Sequence, residues 1–330
     1  MDPSFHPGLN IFSDLSDHDF RQAALEIFRH QYACNEVYRR FTDTLGTDPA
    51  KVCGFEEIPF LPIGFFKTHR LVCGKGEPGK TFESSGTTGS IRSRHVVSDL
   101  SVYRESLLAG FRAFYGEPSD YEFLALMPSP AENPASSLIF MISELIRINR
   151  QDSNVFFLSR NSDLADCLLK PVATGKTRMV IGLTYAILDF AEQFPVSLPG
   201  VIIMETGGMK GRRVEMVREE LHAVLKEKFQ TGFIHSEYGM TELLSQAYSK
   251  GDGLFTSPPW MKVLIRDTND PLTLLPNGKT GAINIIDLAN YNSCSFIATE
   301  DLGIGLKDRT FEVLGRFDNS DIRGCSLMMV

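Results

Sequence analysis

The chain lacks most of what marks extracellular, membrane or nucleic-acid proteins. Its six cysteines (Cys34, Cys53, Cys73, Cys167, Cys294 and Cys325) are scattered, with no C-x-x-C pair and no grouping with histidine at metal-ligand spacing. That pattern argues against a disulfide framework or a zinc site. No apolar run approaches the roughly 18 residues that a spanning helix needs. The opening Met-Asp-Pro-Ser-Phe-His has neither the basic start nor the apolar core of a secretory signal. These absences predict a cytoplasmic protein with reduced thiols and no membrane span. Positive charge is also short: 33 Lys plus Arg face 41 Asp plus Glu, for a net charge of -8. The diffuse field that draws proteins to nucleic acid is therefore missing, and no nucleic-acid partner is expected. An anionic ligand must be held by a local site.

What is present is globular. Hydrophobic residues make up 43% and charged residues 22% of 330 positions, enough for one large domain or two ordinary ones. Apolar positions Phe20, Ala24, Ile27, Cys34, Tyr38, Phe41 and Leu45 predict one amphipathic helix from Asp17 to Gly46, capped by Ser16 or Asp17. Residues 51–82 read as extended chain and turns, and a second helix is expected over Asp99–Tyr115 with Ser98 as its cap. The middle then alternates. Strands are predicted at Tyr121–Met127, Val155–Leu158, Met179–Leu183 and Val201–Met204, and helices at Ser136–Asn149, Ser162–Leu169, Tyr185–Gln193 and Arg212–Phe229. This alternation predicts an α/β fold with a largely parallel sheet. From 256 onward the texture changes to strands and turns: Lys262–Arg266, Ala282–Asp287, Ser295–Ala298 and Phe311–Leu314. The expected organisation is an α/β body over 1–255, a β-rich portion over 256–318 and a tail over 319–330. There is no internal repeat or low-complexity tract.

The first chemically informative segment is Ser84-Ser85-Gly86-Thr87-Thr88-Gly89. Its glycines let the backbone turn tightly and present N–H groups, and the flanking hydroxyls add donors, a combination suited to phosphate oxygens. Arg92 and Arg94 follow closely. Taken alone, the loop reads equally well as an ordinary Ser/Thr/Gly turn. It is not the G-x-x-x-x-G-K-[ST] loop of the common nucleotide hydrolases. The string SSGTTG resembles the phosphate-binding motif of the adenylate-forming superfamily, whose members join a carboxylate to AMP and release pyrophosphate. Many members carry a lysine after the loop; here Arg94 stands near that place, and its planar fork suits phosphate.

The remaining motifs of that superfamily appear in order. Tyr238-Gly239-Met240-Thr241-Glu242 is similar to Y-G-x-T-E; the resemblance implies an aromatic against adenine, a hydroxyl on the α-phosphate and a carboxylate, Glu242, for Mg²⁺. Upstream, Gly207-Gly208 resembles the adenine-side loop, although a plain strand-to-helix turn explains the glycines as well. Thr299-Glu300-Asp301-Leu302-Gly303 resembles T-G-D-L-G, with Asp301 accepting from ribose hydroxyls. Gly315-Arg316-Phe317-Asp318 resembles G-R-x-D, with Arg316 as a further ribose or phosphate contact. Two residues are of second rank: Lys67, a cation that could steady the reacting carboxylate or simply lie on the surface, and His235, read mainly as a structural histidine.

With twelve residues after Asp318, the expectation is a chain without the mobile C-terminal domain and catalytic lysine that are usual in the superfamily. In this the chain resembles the acyl-protein synthetases of the bacterial bioluminescence fatty-acid reductase system. The resemblance implies ATP and Mg²⁺ as cofactors, a carboxylic acid of the fatty class as substrate, and a cysteine near the end that carries the acyl group to a reductase partner. Cys325 occupies that place, five residues before the last. A thiolate is a strong nucleophile, and a thioester keeps much of the activation; the plain alternative is a small apolar residue in a docking tail. The other five cysteines are read as structural. Rival readings are an acyl- or aryl-CoA ligase resembling phenylacetate-CoA ligase, and a catalytically weak nucleotide-binding scaffold.

Overall fold

The structure is a computed structural model that describes residues 5–74, 79–85, 91–149, 153–194, 196–209, 211–213 and 216–316. It opens with two helices, α1 (Asp17–Cys34) and α2 (Glu36–Thr44), where the periodicity predicts one. The break is at Asn35, whose backbone is extended. Its side-chain oxygen accepts from Tyr38 N at 3.1 Å, and its Nδ2 donates to Ser293 O at 3.0 Å. Asparagine competes for backbone groups in this way, so it caps a helix more readily than it continues one. The apolar face survives the break because Phe20, Ala24, Ile27 and Tyr38 are all buried.

Short elements follow: β1 (Leu61–Pro62), the one-turn α3 (Phe65–Thr68), β2 (Lys80–Glu83) and β3 (Arg94–Val97). Next comes α4 (Leu100–Tyr115), capped not by Ser98 but by Asp99, whose Oδ1 accepts from Ser101 N at 2.8 Å. The alternating middle provides β4 (Tyr121–Leu126), α5 (Ser137–Ile148), α6 (Asn161–Leu169), β5 (Thr177–Leu183), α7 (Thr184–Gln193), β6 (Ile202–Thr206), α8 (Arg218–Phe229) and β7 (His235–Tyr238). Two expectations are corrected here. Val155–Leu158 is not a strand; it touches β4 through a single bridge, Ala125 to Phe156, beside a 3-10 turn at Ser153–Val155. The helix expected from Arg212 starts at Arg218. Gly211 adopts a left-handed φ of 67° and Arg213 is drawn to Asp189 and Glu192 of α7, so the chain stays irregular there.

The final stretch is β8 (Ala247–Ser249), β9 (Leu254–Thr256), β10 (Met261–Arg266), β11 (Leu274–Leu275), β12 (Thr280–Asp287), β13 (Phe296–Gly305) and β14 (Thr310–Arg316). β13 runs well past Ala298, the expected end, because it pairs with β12 on one side and β14 on the other. One mixed sheet results, in the order β11-β10-β12-β13-β14-β9-β8-β7-β6-β5-β4, with β1 alongside β13. β4 to β7 are parallel, and the apolar runs of β4, β5 and β6 are what a sheet covered on both faces requires. The α/β body and the β-rich portion are thus hydrogen-bonded into a single sheet through β9 and β14. β2 and β3 stand apart as a two-stranded ribbon.

Cys34 and Cys73 are joined by a disulfide, which corrects the expectation that all the thiols are reduced and that none pairs. Their separation of 39 residues carries no pairing signal; the fold brings the end of α1 against the segment after α3. Among the described residues no helix is long and apolar enough to cross a membrane.

Candidate active site

The ribbon presents the Ser/Thr/Gly loop. At its open end Ser84 N donates to Ser93 O at 3.0 Å, and Ser93 N donates to Ser84 Oγ at 2.9 Å, so the two serines close the base of the loop. Gly86, Thr87, Thr88 and Gly89 lie outside the described residues, and Ser85 is the last described residue before them. Side chains alternate across a strand. Ser93 and His95 are buried, while Arg92 and Arg94 are exposed. Arg92 pairs with Glu83 at 3.6 Å, and Arg94 stands opposite Glu83 in the register. The alternation therefore turns Arg94, expected as a phosphate ligand, away from the face that carries Ser93 and His95.

That face meets the loop after β7. The His95 ring lies 2.8 Å (Nδ1) from the Thr241 carbonyl oxygen and 3.0 Å (Nε2) from Asn290 Oδ1. Asn290 Nδ2 in turn donates to the carbonyls of Glu242 and Cys294, both at 2.8 Å. Asp287 holds the other flank of the loop, accepting from Leu244 N at 2.8 Å, Ser245 N at 3.1 Å and Ser245 Oγ at 2.6 Å. Ser245 Oγ also accepts from Trp260 Nε1 at 3.0 Å. Thr241 and Glu242 are thus clamped between the ribbon and the turn after β12.

The Glu242 carboxyl is buried, and burial pushes its pKa up; a hydrogen bond from Ser93 and the charges of Arg316 and Lys67 oppose the shift. Lys67, on the one-turn α3, and Arg316, at the end of β14, therefore act on the same carboxylate from opposite ends of the sequence. Among the described residues no second carboxylate, His or Cys joins Glu242 in a three-ligand group. A single carboxylate suits Mg²⁺, which binds through one or two protein carboxylates together with substrate phosphates and water. Glu242 is the residue here that fits it.

The residues expected on the nucleotide side lie just after β6 (Gly207, Gly208), at the end of β7 (Tyr238), within β13 (Asp301) and at the end of β14 (Arg316). Gly207 and Gly208 both take left-handed φ, 74° and 63°, and a Cβ on Gly208 would point into open space. The glycine pair is therefore a backbone requirement that leaves the loop accessible. The Tyr238 ring is buried edge-on to Phe255 and Phe311, and its hydroxyl donates to Asp301 Oδ2 at 2.7 Å. Burial raises the Asp301 pKa, against the Tyr238 hydroxyl and the charge of Arg316, whose Nε lies 4.0 Å from Oδ1. A Cβ on Gly239 would run into Glu237 Oε1. His235 lies aside from this group: its Nδ1 is 3.0 Å from Tyr115 Oη, and burial brings its pKa down to about 4.

Behind the glycine loop, Glu205 accepts from Thr184 Oγ1 at 2.6 Å and sits 3.4 Å from Arg218 and 3.6 Å from His222. Burial opposes its charge, but hydrogen bonds from His222, Ser236 and Thr184 together with the Arg218 charge outweigh it and hold the pKa at about 2.

The sequence reading missed Ser93, His95, Asp287 and Asn290. Ser93 and His95 had a faint signal, two polar residues in alternate positions of a short strand. Asp287 and Asn290 had none. Cys325 and Asp318 lie outside the described residues.

The family model described as "Acyl-protein synthetase, LuxE" matches residues 8–330. No curated protein matches the chain. Among solved structures, an open conformation of 2-hydroxyisobutyryl-CoA ligase in complex with 2-HIB-AMP and CoA has a TM-score of 0.69 at 13% identity, over 92% of this chain and 70% of that one. ATP-bound MatB from Rhodopseudomonas palustris has a TM-score of 0.53 at 15% identity, over 74% of this chain and 49% of that one. The chain thus matches about half of MatB's length. These likenesses establish the fold of the adenylate-forming ligases, and the match over nearly the whole sequence shows that the chain belongs to the acyl-protein synthetase (LuxE) family.

Proposed function

We propose that the chain activates a carboxylic acid, of the fatty class, as its acyl adenylate and then carries the acyl group on Cys325 to a protein acceptor such as an acyl reductase, in the cytoplasm. The observation that carries this reading is the convergence on Glu242: Ser93 at the base of the loop, Lys67 and Arg316 all act on its buried carboxylate. A substrate carboxylate oxygen attacks the α-phosphorus of ATP, the bond to the β-phosphate oxygen breaks, and pyrophosphate leaves. Ser84, Ser85, Gly86, Thr87, Thr88 and Gly89 hold phosphates, with Arg94 placed to follow only if the ribbon turns. Thr241 takes the α-phosphate, Lys67 offsets the charge that gathers between the carboxylate and phosphate, and Gly207, Gly208, Tyr238 and Gly239 form the adenine side. Asp301 and Arg316 fix the ribose. Mg²⁺ at Glu242 would neutralise phosphate charge.

The Cys325 thiolate then attacks the acyl carbon and AMP leaves, the thiol proton passing to solvent. Incubation with labelled fatty acid, ATP and Mg²⁺ should give a hydroxylamine-sensitive acyl-protein that Cys325→Ser abolishes. Pyrophosphate release with no protein-bound acyl group would end the carrier role. Thioester formed on added coenzyme A would instead favour a CoA-ligase activity, the reading suggested by the fold's likeness to 2-hydroxyisobutyryl-CoA ligase.

A further inference from the structure

Away from the nucleotide side, His30 and Cys34 stand four residues apart on the last turns of α1, so they share one face of the helix. His30 Nε2 lies 3.4 Å from Cys34 Sγ. Cys73 reaches the same point from the segment after α3, held by its own N–H, which donates to Asn292 O at 2.8 Å, and by Gly74 N, which donates to Cys34 O at 3.4 Å. The ligating atoms of His30, Cys34 and Cys73 all lie within 4.8 Å of one another, and each residue is partly buried. Phe5 stacks flat on the His30 ring at 3.7 Å between centroids, fixing the ring's plane.

We propose that reduced Cys34 and Cys73, with His30, form a Zn²⁺ site, and that the disulfide is the metal-free, oxidised state of that site. Two thiolates and one imidazole are the soft donor set that zinc takes, at about 2.3 Å from sulfur and about 2.0 Å from nitrogen, with water in the fourth position. Binding displaces the two thiol protons. Oxidation needs a low-molecular-weight disulfide as oxidant: the Cys34 Sγ–Cys73 Sγ bond forms and the oxidant's S–S bond breaks. The two electrons pass to the oxidant, which leaves as two thiols after taking two protons from solvent, and Zn²⁺ departs.

The site bears on the rest of the molecule through position. Cys73 stands seven positions before the first residue of the ribbon, and the adjoining Asn35 is bound to Ser293 in the turn that also supplies Asn290. Metal, free thiols and disulfide would each tie α1 to the root of the ribbon differently.

The test uses the full-length chain, reduced, desalted without oxygen and titrated with Co²⁺ as a spectroscopic stand-in for zinc. One equivalent should give thiolate-to-cobalt charge-transfer absorption with the d–d bands of a tetrahedral site. Cys34→Ser and Cys73→Ser should lose it, His30→Ala should weaken and shift it, and Cys325→Ser should leave it unchanged. Two measurements on the unaltered chain remain decisive should a variant misfold. Zn²⁺ should slow alkylation of Cys34 and Cys73 by an order of magnitude while Cys53 reacts as before, and a small disulfide should expel the metal. Absence of the charge-transfer band in the reduced chain, or its persistence in the doubly substituted Cys34→Ser, Cys73→Ser chain, would overturn the site. The readout is metal and thiol chemistry alone, so it stands or falls independently of any acyl transfer.

Discussion

His95 faces two acceptors with one ring. The Thr241 carbonyl can only accept, and Asn290 presents Oδ1 because its Nδ2 already donates to two carbonyls. A neutral imidazole has a single N–H. Burial lowers the His95 pKa to about 4, so at neutral pH one of the two contacts lacks its proton. The ring's worth therefore lies in fixing where Thr241 and Glu242 sit relative to Ser93. His95→Leu should cost about 1–3 kcal/mol, since it removes the ring's one N–H and strands the buried acceptor that receives it, and should lower ATP–pyrophosphate exchange at least ~10-fold, the equivalent of ~1.4 kcal/mol. His95→Gln keeps one donor and should recover part of both. Equal exchange rates in the three chains would remove His95 from the positioning of the site. Residues of this kind explain what was legible. Ser84, Thr241, Glu242 and Asp301 sit in short ordered motifs, so the sequence alone could single them out as candidates. His95 and Asn290 are partners across 195 residues, and only the folded chain pairs them.

Elements show the same division. The apolar stripe of α1 and α2 was legible as helical periodicity, and so were α5, α7 and the strands from β4 to β6, because buried faces leave a period in the sequence. The break at Asn35 was not, since the periodic pattern passes through it unchanged and its side chain is fixed by donating to the distant Ser293 carbonyl. β13 was read short for a different reason: past Ala298 it runs through Glu300, Asp301 and Gly303, which carry no apolar period, and it is held there by pairing with its sequence neighbours β12 and β14. Asn35→Ala removes the α2 cap and the link to Ser293 together. It should lower stability by about 1–2 kcal/mol, read as a lower urea midpoint with an unchanged slope. A midpoint equal to that of the parent would mean that the cap contributes nothing.

At the scale of the whole molecule, composition and motif order made the fold class legible, but the union of the two halves in one sheet was not: turn-rich sequence after 256 looks like a separate portion, and the β9–β14 and β1–β13 pairings that join it link segments distant in sequence. The same unity makes one buried charge matter to global stability. Glu205 has its pKa lowered to about 2 in the folded chain, below its ordinary 4.5. Its contribution is thus complete above the unfolded value and is lost as pH falls from about 5 toward 2, on the order of 3 kcal/mol in all. Glu242, Asp287 and Asp301, whose pKa values burial raises, act in the opposite sense, so a variant comparison is needed to isolate the effect. Glu205→Gln should be markedly less stable than the parent at pH 7, and the gap should narrow steadily between pH 5 and pH 3. A gap independent of pH would mean that the charge of Glu205 is not what stabilises the fold.

Trp260 is the single tryptophan of the sequence, and its indole N–H donates to the serine that Asp287 fixes beside Glu242. The chain accordingly carries its own optical reporter. Indole emission is sensitive to the hydrogen bonding of its N–H, so events at the Thr241–Glu242 loop register in the native fluorescence of an unlabelled protein, with no second tryptophan to obscure them.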